Sequence, residues 1–377
     1  LLLPNYKCAI IYDLMDVIAS DASRYYAIAS NPVAVETIAT DNYSIQDSQI
    51  DTAWKMLFGK KLADGDLLPM IDYIKWEANT VYARYDNASQ ALANSNFYVV
   101  VDPDIIGGAY QIFKCIDNAN GAPSTSKPDQ IQQATFEKED GYKWRYITSV
   151  STAIRDKFAT SLYFPIVANT TIQTGAEQYS AVDVCLVANG GTGYRVYHEG
   201  KIQGVSNSTL MQIADTASVD NDFYTKSGIY IYNEVLSSGE VRQITQYVAN
   251  SSGNWVALDR AANTDNIIAS VSDYIISPYV RFETDGDTDP VAYSLVDAQT
   301  NTISQVVMVD AGSGIFRANA SIVSNTSYGS GANLHPIVPP PGGHGSKPAA
   351  ELQAIGLGVY VQFANSEMGT IPTNIQY

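Results

Sequence analysis

From about residue 169 onward the chain consists of short runs of β-branched and aromatic residues cut by Asn, Gly and Ser turns, and helical periodicity fades. Runs of that length and make-up bury one or both faces only as strands, so the rear half can hardly be anything but β. Two stretches there resemble each other, "DVCLVANGGTGYRVYHEGKI" from Asp183 and "QVVMVDAGSGIFRANASIV" from Gln305. In each, an apolar run enters Gly-x-Gly and a second strand returns. Gly193 and Gly314 permit positive φ, so each copy is expected to be a β-hairpin.

The front of the chain is mixed. Leu14, Val17, Ile18, Tyr25 and Ile28 have helical spacing, which predicts a helix over residues 13–29 ending before Asn31-Pro32. "DTAWKMLFGKKL" from Asp51 reads as a second helix, capped by Asp51 or Thr52. "NTVYARYD" alternates as a strand. "NFYVVVD" and "AYQIFKCID" read as paired strands. "GYKWRYITSV" is a further strand whose Tyr142, Trp144 and Tyr146 share one face, expected to be buried, and Trp54 and Trp76 are further core candidates. A final strand lies in "IGLGVYVQFANSE". The fold class is α+β, predominantly β.

With 39 acidic against 22 basic residues the net charge is −17, the wrong sign for gripping a phosphate backbone, so nucleic acid is set aside as a partner. The apolar start "LLLPNYKCAIIYDLMDVIA" is broken by Pro4, Lys7 and Asp13, too early for a membrane span or a signal peptide, and a protein free of membrane is expected. Cys8, Cys115 and Cys185 lie far apart in no zinc or disulfide pattern and read as buried free thiols.

Candidate chemistry is sparse. Asp285, Asp287 and Asp289 in "ETDGDTDP" have calcium-loop alternation, but Pro290 and Val296 stand where glycine and glutamate are needed, so a solvated turn is the better reading. His198, His335 and His344 sit near no GxSxG serine. The many acids guarantee carboxylate pairs in space, and nothing singles one out. "PPPGGHGSKPAAEL", residues 339–352, invites a phosphate loop, yet it is too short for GxxxxGK[ST] and proline follows its lysine. It reads better as a joint. The prolines through Pro341 hold an extended path, Gly342, Gly343 and Gly345 turn it, and His344 is expected to bond the turn's backbone. Ser346 is expected to cap a short helix with Pro348 in its first turn. No catalytic residue, metal or cofactor is expected.

Four stretches, in order, carry a resemblance: residues 51–76 with "TVYARYD"; "AYQIFKCIDNANGAPSTSKP"; "EDGYKWRYITSVSTAIRDKFATSLYFPI"; and "HPIVPPPGGHGSKPAAEL". Together they resemble the baseplate wedge subunit of T4-like contractile-tailed phages, the product of gene eight, most closely its cyanophage forms. The resemblance spans about residues 5–168 and 275–355, and residues 169–275 match poorly. It implies a β-sandwich with flanking α/β layers. An N-terminal domain (1–168) would be completed by a C-terminal joint and strand (336–377) around an inserted β-rich region (169–335). It further implies a non-enzymatic virion protein, assembled in the host cytoplasm, that dimerises and binds other wedge proteins. Glycine-rich β structure and surface tyrosines also suit a glycan-binding tail adhesin, the main alternative; a tail-associated glycan hydrolase has less behind it.

Overall fold

The computed structural model describes residues 4–20, 25–30, 56–105, 108–194, 198–323 and 329–362. The first part holds helix α1 (Pro4–Ala19) and strands β1 (Tyr26–Ser30), β2 (Met56–Lys61), β3 (Leu67–Asp72), β4 (Tyr98–Val101), β5 (Tyr110–Asn118), β6 (Phe136–Glu137), β7 (Tyr142–Val150) and β8 (Tyr163–Pro165), with short helices α2 (Thr152–Phe158) and α3 (Thr170–Gly175). Then come β9 (Val184–Thr192), β10 (His198–Lys201), β11 (Gly204–Asn207), β12 (Leu210–Ile213), β13 (Ser227–Asn233), β14 (Ser238–Asn250) and β15 (Gly253–Leu258). The β region ends with β16 (Asp273–Thr284), β17 (Val291–Asp297), β18 (Thr302–Asp310), β19 (Ala318–Val323) and β20 (Ser330–Ile337), and the chain continues to α4 (Pro348–Glu351) and β21 (Gly356–Val359). The fold is α+β and predominantly β.

Strands buried on both faces build the sheet β4-β5-β7-β6. β4 and β5 pair antiparallel from Tyr98↔Lys114 to Val101↔Gln111. Tyr142, Trp144 and Tyr146 are all buried with Phe113, Phe136 and Tyr82. The Trp144 ring stacks on Tyr142 and meets Tyr82 edge-on, with centroids 5.6 and 5.7 Å away. Trp76 is half-buried, its indole N–H donating to Ser124 Oγ at 3.2 Å. Trp54 lies outside the described residues.

The rear sheet runs β11-β12-β15-β14-β13-β16-β17-β18, with β10 and β19 also paired to the long β16. Its core is Ile213, Ile229, Ile231, Ile244, Tyr247, Val256 and Ile276, the alternate positions of neighbouring strands. At the close of the chain, β21 pairs antiparallel with β3, which also pairs with β8. The C-terminal strand is thus laid onto an N-terminal one.

Several expectations are corrected. The first helix ends at Ala19, and Tyr26–Ser30 is a strand. Met56–Lys61, expected to be helical, is the antiparallel partner of that strand, from Tyr26↔Lys61 onward. Long-range pairing overrides helix propensity in both segments. "NTVYARYD" enters no ladder: Thr80 makes an isolated bridge to Ser124, while Tyr82 and Tyr85 turn inward. The two Gly-x-Gly units are not hairpins. β9 pairs with β20 and β10 with β16, while β18 pairs with β17 and β19 with β16. Gly193 and Gly314 do hold positive φ, 78° and 68°, but they turn the chain from one ladder into another. The residue after each glycine, Tyr194 or Ile315, is buried.

Candidate functional site

β5 and β7 pair so that Lys114 stands directly opposite Arg145, and both side chains are buried. Two like charges facing each other in a sheet interior are destabilising unless anions are brought to them. Two carboxylates arrive from elsewhere in the chain. Glu351 of α4 forms an ion pair with Lys114. Asp183 accepts from Thr135 Oγ1 at 2.8 Å, and that hydroxyl accepts from Arg145 Nη1 at 3.4 Å. Arg145 Nη2 also donates to the Tyr179 carbonyl at 3.0 Å.

The joint completes the cluster. Gly342, Gly343 and Gly345 have φ of 89°, 87° and 81°. The turn they make drives His344 into the interior beside Lys114, 2.5 Å from Nζ to Nδ1. The ammonium group has three N–H bonds and uses all of them: one to Glu351, one to His344 Nδ1, and one over the Tyr85 ring, 3.6 Å from its centroid. Nδ1 is therefore an acceptor and the imidazole neutral, its proton on Nε2. The 3.0 Å approach of Nδ1 to Glu351 Oε1 is bridged by the lysine. Glu351 Oε2 accepts from Gly345 N–H at 2.6 Å, which ties the carboxylate to the turn.

The electrostatics follow. Burial pushes Lys114 down to about 8, opposed by the Glu351 charge, so it stays protonated at neutral pH. Burial, the largest single influence, would raise Glu351, but the Lys114 charge and the contacts with His344 and Lys114 together outweigh it and hold the carboxyl down to about 2. Burial and the Lys114 charge push His344 down to about 3. Asp183 is raised by burial against the pull of Arg145, and Arg145 is lowered by burial against the pull of Asp183. A lysine near 8 resembles a nucleophile in its pKa, but here every N–H is already committed. The geometry fastens three distant segments; it presents no free reacting group. A cavity of about 340 Å³ between α1 and the joint is lined by Cys8, Tyr12, Pro340, Pro341, Lys347 and Glu351.

His344, expected to bond the turn's own backbone, bonds the buried ion pair instead. Ser346 does not cap α4; Lys347 occupies that position without a side-chain cap bond, and the Ser346 carbonyl accepts from Gln173 at 2.9 Å. Pro348 does stand in the first turn. Lys114, Arg145, Asp183, Glu351 and Tyr85 were not singled out in the sequence. The signal was a lone cation in the apolar run "QIFKCI" and a lone acid in "PAAEL". Elsewhere, Asp285 Oδ1 accepts from Phe316 and Arg317 N–H at 2.9 and 2.8 Å, which lowers its pKa and makes the acidic stretch a pinned turn. Among the described residues no three His, Cys, Asp or Glu side chains come together as a metal site. Cys8, Cys115 and Cys185 are free and buried, and burial raises all three thiols.

The chain matches no protein-family model, no curated protein and no solved structure.

Proposed function

We propose that this chain is a non-enzymatic structural subunit of a contractile-tail baseplate wedge, acting as a homodimer that holds neighbouring wedge proteins. One observation supports the reading above others. Each of the four stretches that carry the family resemblance supplies a member of the buried cluster: Tyr85, Lys114, Arg145, then His344 with Glu351. The resemblance therefore gathers on a contact that closes the fold, and that supports reading the four stretches as parts of one shared fold. No helix among the described residues is long and apolar enough to cross a membrane.

Immunogold electron microscopy of phage particles purified from an infected culture that produces this chain tests the proposal. Label confined to the end of the tail is expected; label on the capsid, or none on the particle, would overturn it. Light scattering on the purified chain checks the dimer separately.

A further inference from the structure

Residues 198–273, within the stretch where the family resemblance is weakest, carry a second surface. β13, β16 and β10 end together: Tyr232 pairs with Asp273, and Lys201 pairs with Asp273 from the other side. The β13–β14 turn and the loop before β16 both project from this end. They are tied to each other, Asn233 Nδ2 donating to the Asn266 carbonyl at 3.2 Å and Asn266 Nδ2 to Ser238 Oγ at 2.9 Å. Lys201 Nζ holds the same loop through the Val271 carbonyl at 3.0 Å.

Four apolar side chains stand out on these two loops: Val235 is 80% exposed, Leu236 45%, Ile268 44% and Val271 40%. One exposed valine means nothing; four at one end of a sheet form a patch of the kind that marks an interaction site. The tip is also held in place. Asn233 is buried, and its Oδ1 accepts from the Val235 and Leu236 N–H groups at 3.1 and 3.3 Å. A turn fixed from inside presents its apolar side chains with little ordering left to lose on binding.

The charges around the patch choose the partner. Tyr232 at its edge feels Asp273, Glu234, Lys201 and Glu199, and burial together with the acids raises its phenol. The one cation among these is already paired with Asp273 at 2.8 Å. Glu234 and Asp265 are exposed on the two loops themselves. An acidic rim repels an anionic lipid surface and repels a second copy docked patch to patch.

We infer that this end of the rear sheet is a docking surface for a protein segment with an apolar centre flanked by Lys or Arg. The surface holds whether or not the chain belongs to a tail, and its test needs no virion.

The probes are two synthetic peptides with the same leucine- and phenylalanine-containing centre, one flanked by lysines and one by glutamates, titrated into the whole chain by fluorescence anisotropy. The lysine peptide is expected to bind at least about tenfold more tightly than its acidic counterpart. Val235→Ser/Leu236→Ser should lower that affinity about tenfold with the melting temperature unchanged, and Ile268→Ser/Val271→Ser on the other loop should do the same. Glu234→Gln/Asp265→Asn should weaken binding severalfold and flatten its salt dependence. Equal affinity for both peptides overturns the inference. So does binding of the lysine peptide that survives both apolar double variants, which is mere attraction to an acidic chain. Adsorption to anionic vesicles through Val235 and Leu236 overturns it in favour of a membrane.

Discussion

Replacing Glu351 by glutamine removes one negative charge from the cluster while keeping an oxygen that can accept from Gly345 N–H. Lys114 is then a fully buried ammonium facing buried Arg145 with its counterion gone. Breaking a buried pair from one side costs about 3–5 kcal/mol, against a total stability of about 5–15. Lys114→Met alone should cost a similar amount, because it strands the Glu351 carboxylate. The double variant Lys114→Met/Glu351→Gln leaves neither charge stranded and also removes the repulsion of Arg145. It should lie within about 2 kcal/mol of the parent, far short of the sum of the singles. The assay is urea unfolding at pH 7 followed by tryptophan fluorescence, to which Trp144 in the adjacent aromatic cluster contributes. A pair this buried is screened little, so the coupling should survive 0.5 M salt. Single variants that each cost under about 1 kcal/mol, or a strictly additive double, would refute the picture of a buried and mutually dependent pair.

Acid should weaken the protein over a window set by the same groups. His344 is lowered from 6.5 to about 3 and Glu351 from 4.5 to about 2, so each binds more protons unfolded than folded; stability is lost as pH falls from about 6.5 toward 2, and urea midpoints at pH 7, 5.5 and 4 should decline in that order. Gly343→Ala should be far worse than Gly342→Ala: a Cβ at Gly343 would lie 2.1 Å from the Ala176 carbonyl oxygen, whereas at Gly342 it meets the movable Ser346 hydroxyl at 2.7 Å, and thermal melting ranks the two. His344→Ala should cost about 2–4 kcal/mol, more than one hydrogen bond, because it removes an acceptor of Lys114 and the edge contact on Tyr85; a loss below about 1 would show the imidazole to be dispensable. Trp144→Ala should cost about 3–5 kcal/mol, and an unchanged melting temperature would contradict its burial.

What the sequence disclosed was local periodicity. Tyr142, Trp144 and Tyr146 alternate, and their face is buried; β4 and β5 are rich in β-branched and aromatic residues, and they pair. Ladders that join distant segments left no such mark. Met56–Lys61 has the composition of a helix and becomes a strand only because Tyr26–Ser30 lies beside it. Each Gly-x-Gly unit showed its turn and its two strands, but which ladder each strand joins depends on strands far off in the chain. The charge cluster is the extreme case. Lys114 between Phe113 and Cys115 announces a buried cation, yet its counterion is 237 residues away, and no local pattern points to a lone glutamate in "PAAEL".

The C-terminal arm explains why a charged contact is useful where an apolar one would be stronger. Its side chains in the adjoining apolar core are few, Ala349, Leu352 and Ala354, with Leu357 half-buried beyond them. So few apolar contacts specify register weakly, and a slip of one residue would turn β21 inside out against β3. Glu351 admits no slip: its two oxygens must meet Lys114 and Gly345 N–H together. The cluster's role on this hypothesis is alignment more than stability. The Lys114→Met/Glu351→Gln variant should then remain folded while its arm loosens. Amide hydrogen exchange should speed up at Ile355, whose N–H donates to Met70, and along β21, with the β4–β5–β7 amides unchanged. Exchange in β21 that stays at the parent rate would show that the apolar contacts alone set the register.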